Sequence, residues 1–463
     1  MIITINPATE QRLRVYEPVT KEDVQEAVNK AREAFRKWRT FPPSKRAAYL
    51  EAAARTLRNR GEELGRIITE EMGKPIKESV PEVVKCAWAL EYYAEHAEEF
   101  LRHEPAQTDA KESYVAFEPL GVVASIMPWN FPMWQLVRFA APALAAGNTT
   151  VFKPSSVTPE TGLRLDEAFR DAGLPEGCFR ALVGDYRLGQ MLIEGDTDAV
   201  SFTGSVSAGA KVAVAAATRL KKFVLELGGS DPFIVLGDVD VEEVASAAVV
   251  GRFINAGQSC IAAKRFFIVK EVAEEFVELF AEKSGKLAVG NPLDEETDVG
   301  PMVREGALND LDRQVQESVK MGANVVIGGR RMKRRGYFYE PTILTDVSLN
   351  MPVMKEETFG PVAPVMVVEN EEEAIRAANA SEYGLGASVW TKDMERGEGI
   401  ARRISAGLTT VNNVVISDPR VPFGGVKRSG MGRELSRYGL LEFTNIKTVR
   451  LYEEPPAATV RAE

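Results

Sequence analysis

A chain of 463 residues is too long for one hydrophobic core, so two or three domains are expected. Apolar residues at 45% and charged residues at 27% match an ordinary soluble enzyme, and a net charge of -10 argues against a nucleic-acid partner. No apolar run reaches the ~18–20 residues of a membrane span, and the start MIITINPATE shows no basic-then-apolar leader, so a cytoplasmic protein is expected.

The first hundred residues read as helices. Val24, Ala27, Val28, Ala31 and Phe35 recur at helical spacing behind a Thr20 to Asp23 capping pattern. Amphipathic stretches cover about 44–60 and 78–101, with Gly73 and Pro75 as a stop between them. Residues 114–118 alternate as a strand or hairpin arm does. From residue 121 the apolar runs GVVASIM, TTVF, AVSFTG, FVLEL and PFIVL alternate with helical segments, the pattern of a mainly parallel sheet covered on both faces. A second series, KRFFIVK, NVVIGG, PVAPVMVV, GASVW and GLTTVN, follows from residue 264. Two α/β units in tandem are therefore predicted, with a final strand near NIKTVRLYEEPP.

The 3 cysteines, Cys86, Cys178 and Cys260, form no C-x-x-C pair, which excludes a disulfide framework or a cysteine-rich zinc site. The 2 histidines, His96 and His103, sit among acidic residues as solvated surface groups. Any catalysis is left to Cys, Glu, Lys and Asn, with no metal. FTGSVSAG at 202–209 fits a phosphate-binding turn or a plain strand-to-helix turn. Lys153 ends a strand in VFKPSS, and Asn130 is a rigid amide between the prolines of PWNFP. Each is equally a solvated lysine or a packed loop tip until a nucleophile is found.

Cys260 is the nucleophile candidate. It follows a helical stretch at 241–256 that Gly257 breaks, and small polar neighbours surround it. Backbone N–H groups near a helix end are expected to lower its pKa. Glu226, at a strand end before Gly228 and Gly229, is the base candidate, and EETFGPV is a third loop of this kind.

Together PWNFP, KPSS, FTGS, LELGG, GQSC, EETFGPV and PFGGVKRSG, in this order and over nearly the whole chain, resemble the aldehyde dehydrogenase superfamily. The chain is most similar to its short succinate-semialdehyde dehydrogenase-like members. The resemblance implies an α/β fold: a Rossmann-type cofactor domain (1–107 and 124–232), a catalytic domain (233–436) and an oligomerisation arm (108–123 and 437–463) making a homodimer or homotetramer. It implies that Cys260 attacks a small aldehyde, that Asn130 and the Cys260 N–H hold the oxyanion, and that Glu226 activates water to release the acid. Trp129, Lys153, Ser155, Ser156, Gly184, Gly204 and Ser205 would line the cofactor site, with Leu227 by the nicotinamide, Glu357 on its ribose and Phe359 beside it. A glutamate that repels a 2′-phosphate in NAD-preferring relatives is replaced by Ser156, so NADP is expected to serve at least as well as NAD. The arginine that succinate-semialdehyde dehydrogenases place six residues before the cysteine is Ile254 here. Arg138 and Arg420 are the remaining candidates for a substrate carboxylate, with glyceraldehyde or lactaldehyde as alternative substrates. Glu226 argues against a CoA-acylating enzyme, a branch that generally lacks this glutamate. A cysteine hydrolase lacks its histidine, and a non-catalytic relative has no need to keep both Cys260 and Glu226.

Overall fold

The computed structural model describes residues 1–454, and the part of the predicted arm at 455–463 lies outside them. The chain opens with an antiparallel hairpin, Ile2–Ile5 against Arg12–Tyr16, where only helices are expected from sequence. These strands are too short, and too exposed on one side, to show a clear apolar period. Four helices follow, Lys21–Trp38, Pro43–Asn59, Gly61–Met72 and Ile76–Phe100. The first begins in the predicted capping box between Thr20 and Asp23 and buries the predicted face. Gly73, at φ 84, ends the third in a left-handed cap, and Pro75 precedes the fourth. His96 stacks on Tyr92 at 4.3 Å and is half-buried, whereas His103 is exposed against Tyr114.

A six-stranded sheet carries the first α/β unit. Four of its parallel strands are Val122–Ile126, Thr149–Lys153, Ala199–Thr203 and Lys222–Glu226. Phe179–Ala181 adds a parallel edge, and Gly430–Met431 returns from far along the chain to pair antiparallel with Lys222–Glu226. From Val122–Ile126 the chain builds outwards to one side through Thr149–Lys153 and to the other through Ala199–Thr203. That reversal of strand order opens a crevice at the carboxyl ends of Val122–Ile126 and Ala199–Thr203, where open α/β sheets bind ligands.

The second unit is a seven-stranded sheet around a separate apolar core. The PFIVL run, which the alternation groups with the first series, is the strand Asp231–Val235 of this second sheet, between Ala263–Val269 and Ser388–Trp390. Both faces of this strand are buried, so the apolar run itself carries no sign of which sheet it joins. The link Leu227-Gly228-Gly229-Ser230 thus leads from the carboxyl end of one sheet to the start of the other. The strands Glu104–Pro105, Glu112–Pro119 and Thr444–Leu451 form a third, antiparallel sheet. Among the described residues, no helix is long and apolar enough to cross a membrane.

Candidate active site

Cys260 sits on the loop entering Ala263–Val269, facing the carboxyl ends of the first sheet. The predicted helix before it is shorter than the sequence suggests. It ends at Phe253, and Asn255 (φ 52), Ala256 (φ 52) and Gly257 (φ 71) form a left-handed run. Two non-glycine residues tolerate this backbone because neighbours hold it. The Asn255 N–H donates to Glu78 at 2.8 Å, and its side-chain amide donates to the carbonyls of Asn130 and Gln258. A Cβ at Gly257 would lie 2.2 Å from the Gly360 carbonyl oxygen, so only glycine fits there. The buried Arg252 guanidinium donates to the carbonyls of Gly257, Ala263 and Gly360, tying the cysteine loop to the loop of Glu357 and Phe359.

Two cavities meet at this cysteine. One, of about 230 Å³, occupies the switch-point crevice and is lined by Trp129, Asn130, Thr203, Gly204, Ser205, Leu227, Glu357 and Phe359. The other, of about 320 Å³, runs outward on the opposite side between the helices Ile76–Phe100 and Trp134–Ala146, Ile254 and the stretch 414–417. They share Gln135 and Cys260 as lining residues.

Most of the predicted residues therefore come together. Asn130 is buried, its amide nitrogen donating to the Gln258 carbonyl at 3.1 Å and its oxygen accepting from Gln135. Trp129 and Phe359 meet edge to face at 5.8 Å. Ser205 caps the helix Val206–Thr218, and Leu227 packs so closely on Gly209 that a Cβ there would lie 2.3 Å from it. Farther along the same sheet edge, Lys153 is buried with its ammonium on the Pro154 carbonyl. Burial lowers it to about 8. Ser155 caps its own turn at Val157, Ser156 is exposed, and Gly184 precedes the helix Tyr186–Glu194. Glu160, the next acid, is already held by Arg14, Tyr16 and Arg164. A crevice at the strand switch, an aromatic pair at one end and a lysine with no acid on it at the other fit a nicotinamide dinucleotide.

Three expectations are corrected. The Cys260 thiol is not lowered at rest: burial pushes it up to about 11, against the pull of Arg138 and Lys264. Glu226 does not face the crevice. Its carboxyl is buried toward Gly424, Glu434 and Arg138, and neither oxygen has a hydrogen-bond partner among the described residues. Burial, with repulsion from Glu434, raises it well above the ordinary carboxylate range. Glu357 does line the crevice, where it also accepts from the Gly229 N–H at 3.0 Å and pairs with Lys264 at 3.3 Å. Arg420 lies outside both cavities, exposed and clasped by Asp418. Arg138 does line the outer cavity. Its Nε is bonded to Glu434, while its Nη2 has no partner among the described residues.

Several residues escaped sequence reading. Lys264 donates to the Cys260 carbonyl at 2.6 Å, and Glu82 caps the helix Trp134–Ala146 through the N–H groups of Met133 and Trp134. The one available signal is spacing: Glu78, Glu82 and Lys85 recur every three or four residues and so share a helix face.

Residues 1–449 match the model of the aldehyde dehydrogenase family. The chain belongs to the aldehyde dehydrogenase family. Membership makes its reaction the NAD(P)-dependent oxidation of an aldehyde to the acid. It is 46% identical over 449 residues to a Synechocystis protein named "probable succinate-semialdehyde dehydrogenase (NADP(+))", covering 97% of this chain and 99% of that one. A solved succinic semialdehyde dehydrogenase from Streptococcus pyogenes, in complex with NADP+, superposes with a TM-score of 0.95 at 34% identity, covering 98% and 100% of the two chains. A lactaldehyde dehydrogenase from Escherichia coli superposes with a TM-score of 0.94 at 35% identity, covering 97% and 95%.

Proposed function

We propose that this enzyme oxidises succinic semialdehyde to succinate and uses NADP at least as well as NAD. The observation that carries the substrate is the outer cavity, which ends on Cys260 and holds Arg138 with one nitrogen unpaired among the described residues. The names of the relatives support it. Lys153 and the exposed Ser156, with Glu160 neutralised elsewhere, support acceptance of a 2′-phosphate.

Cys260, once ionised, attacks the aldehyde carbon from the floor of the outer cavity. The oxyanion of the thiohemiacetal is held by the Asn130 amide and the Cys260 N–H. Trp129, Leu227, Gly204, Ser205 and Phe359 hold the nicotinamide end, and Lys153, Ser155, Ser156 and Gly184 hold the adenosine end. The chemistry a bound nicotinamide supplies is acceptance of the hydride that leaves the thiohemiacetal carbon. Glu226 then turns out of its pocket beside Glu434, ionises as it meets solvent, and takes a proton from the water that opens the thioester. Glu357 positions the nicotinamide ribose once its pairing with Lys264 is exchanged.

In this reading residues 1–107 and 124–232 are the cofactor domain and 233–436 the catalytic domain, save that Gly430–Met431 completes the first sheet. The strands Glu112–Pro119 and Thr444–Leu451 are the arm of a cytoplasmic homodimer or homotetramer, and the exposed Ile446 and Leu451 suit an interface. The experiment is an aldehyde panel assayed with NAD, NADP and CoA. Succinic semialdehyde with NADP should give the highest kcat/KM and free succinate. A higher kcat/KM for lactaldehyde or glyceraldehyde, or succinyl-CoA as product, would overturn the proposal.

A further inference from the structure

The walls of the outer cavity are mostly apolar, among them Phe131, Val250, Ile254 and Val414. Against them stand two cations beyond Arg138: Lys77, which is paired with Asp298, and Lys85. Lys85 projects from the helix Ile76–Phe100, on the face that also carries Glu78 and Glu82. No acid lies within salt-bridge distance of its ammonium among the described residues. The ammonium donates to the Ser417 hydroxyl at 2.9 Å and lies 4.5 Å from the centre of the Trp134 ring. The nearby acids are spoken for. Glu82 holds Lys74 and two helix N–H groups, Glu78 accepts from the Asn255 N–H and is raised by burial to about 7, and Asp418 is clasped by Arg420.

Lys85 and Arg138 are thus two cations on one cavity, close enough that Arg138 lowers the proton affinity of Lys85, which burial brings to about 8. The indole Nε1 of Trp134, on the same wall, is a buried donor without a partner among the described residues, as is Nη2 of Arg138. Apolar walls with converging unpaired donors and two positive charges are built for a short chain ending in an anion.

We propose that Lys85, with the Ser417 hydroxyl, binds the carboxylate at the far end of the aldehyde substrate and so determines specificity for an ω-carboxylated aldehyde. Ile254 offers no charge at this wall, and the helix Ile76–Phe100 supplies it instead. The inference rests on the reading of succinic semialdehyde as substrate. It adds a residue on a different element from Arg138, so that the two cations grip the carboxylate from two sides.

The test compares succinic semialdehyde with butanal, a neutral aldehyde of equal carbon count, in wild type, Lys85→Met, Lys85→Arg and Ser417→Ala. Lys85→Met should raise KM for succinic semialdehyde about 10- to 100-fold, as loss of a charge-assisted hydrogen bond does, with kcat changed less than about threefold. Butanal kinetics should move less than about twofold, Lys85→Arg should recover most of the lost affinity, and Ser417→Ala should show a weaker effect in the same direction. Succinate as product inhibitor gives a second readout, weakened in Lys85→Met alongside KM. Equal losses for both aldehydes, or an unchanged KM for succinic semialdehyde, would overturn the role of Lys85 while leaving the substrate reading intact. A wild type that oxidises butanal as efficiently as succinic semialdehyde would overturn the substrate reading itself, and Lys85 with it.

Discussion

In the cofactor-free protein, alkylation of Cys260 should be slow at neutral pH and climb steeply with alkali. Burial lifts this thiol to about 11 from its ordinary 9.0. A rise of about two units disfavours the thiolate by about 2.7 kcal/mol. The raised value means that the protonated, unreactive form persists through neutrality and ionises only above it. Near pH 8 about one molecule in a thousand carries the thiolate, where an unperturbed thiol would show about one in ten. Iodoacetamide rate constants, read by mass spectrometry of the Cys260 peptide, should therefore rise about tenfold per pH unit between about pH 7 and about pH 10, without a plateau. Lys264→Met removes one of the two cations that hold the value down and should slow the reaction further, by up to about tenfold. Cys86 and Cys178 are fully buried and their thiols are pushed up as well, Cys178 to about 12, so they should stay unlabelled. A plateau beginning below about pH 8.5 would show a thiolate formed at rest, and would refute the reasoning from burial.

Glu226→Gln should release one burst of reduced cofactor and then stall, with steady turnover down about 10²- to 10⁴-fold; burst and turnover lost together in stopped-flow would place Glu226 before hydrolysis. Ser156→Glu should move the kcat/KM ratio toward NAD by about tenfold or more, through repulsion of the 2′-phosphate, and an unmoved ratio would remove Ser156 from cofactor choice. Arg138→Met leaves Glu434 buried without its partner and should destabilise the protein by about 3–5 kcal/mol, with Glu434→Gln added in the same chain recovering most of it; a melting temperature equal to wild type would argue against the pair. Arg420→Ala should leave KM for butanal within about twofold, as expected for an exposed pair whose side chain lines neither cavity, and a larger rise there would bring Arg420 back into the pocket.

The parts of the molecule that sequence reveals are those with a local cause. The capping box at Thr20, the αL stop at Gly73 and the parallel strands ending in Lys153 and Thr203 each follow from a few neighbouring residues. The cysteine and the amide of Asn130 stand out for the same reason, lying on short loops punctuated by proline and glycine. What stays hidden depends on residues distant in the chain. Nothing beside Asn255 and Ala256 announces a left-handed backbone, because Glu78 and Asn130 impose it from more than a hundred positions away. Strand Asp231–Val235 reads like its predecessors, yet its partners lie later in the chain. Burial and the neighbouring Glu434 raise the proton affinity of Glu226, and Glu434 also pairs with Arg138. A charge map in three dimensions, and not a motif, decides which carboxylate is poised and which arginine is free.

The meeting of two cavities at one sulfur also divides the labour of change. Among the described residues Gln135 and Cys260 are the lining residues common to both, so on the proposed reading dinucleotide and aldehyde arrive through separate doors. On that reading a substitution in the outer wall, at Ile254 or Val414, changes the surface offered to the aldehyde without touching a described residue that lines the inner crevice. The reverse holds for changes around Trp129 or Glu357. Each taste can drift independently, and a descendant of this enzyme can acquire a new aldehyde while keeping its reductant economy untouched.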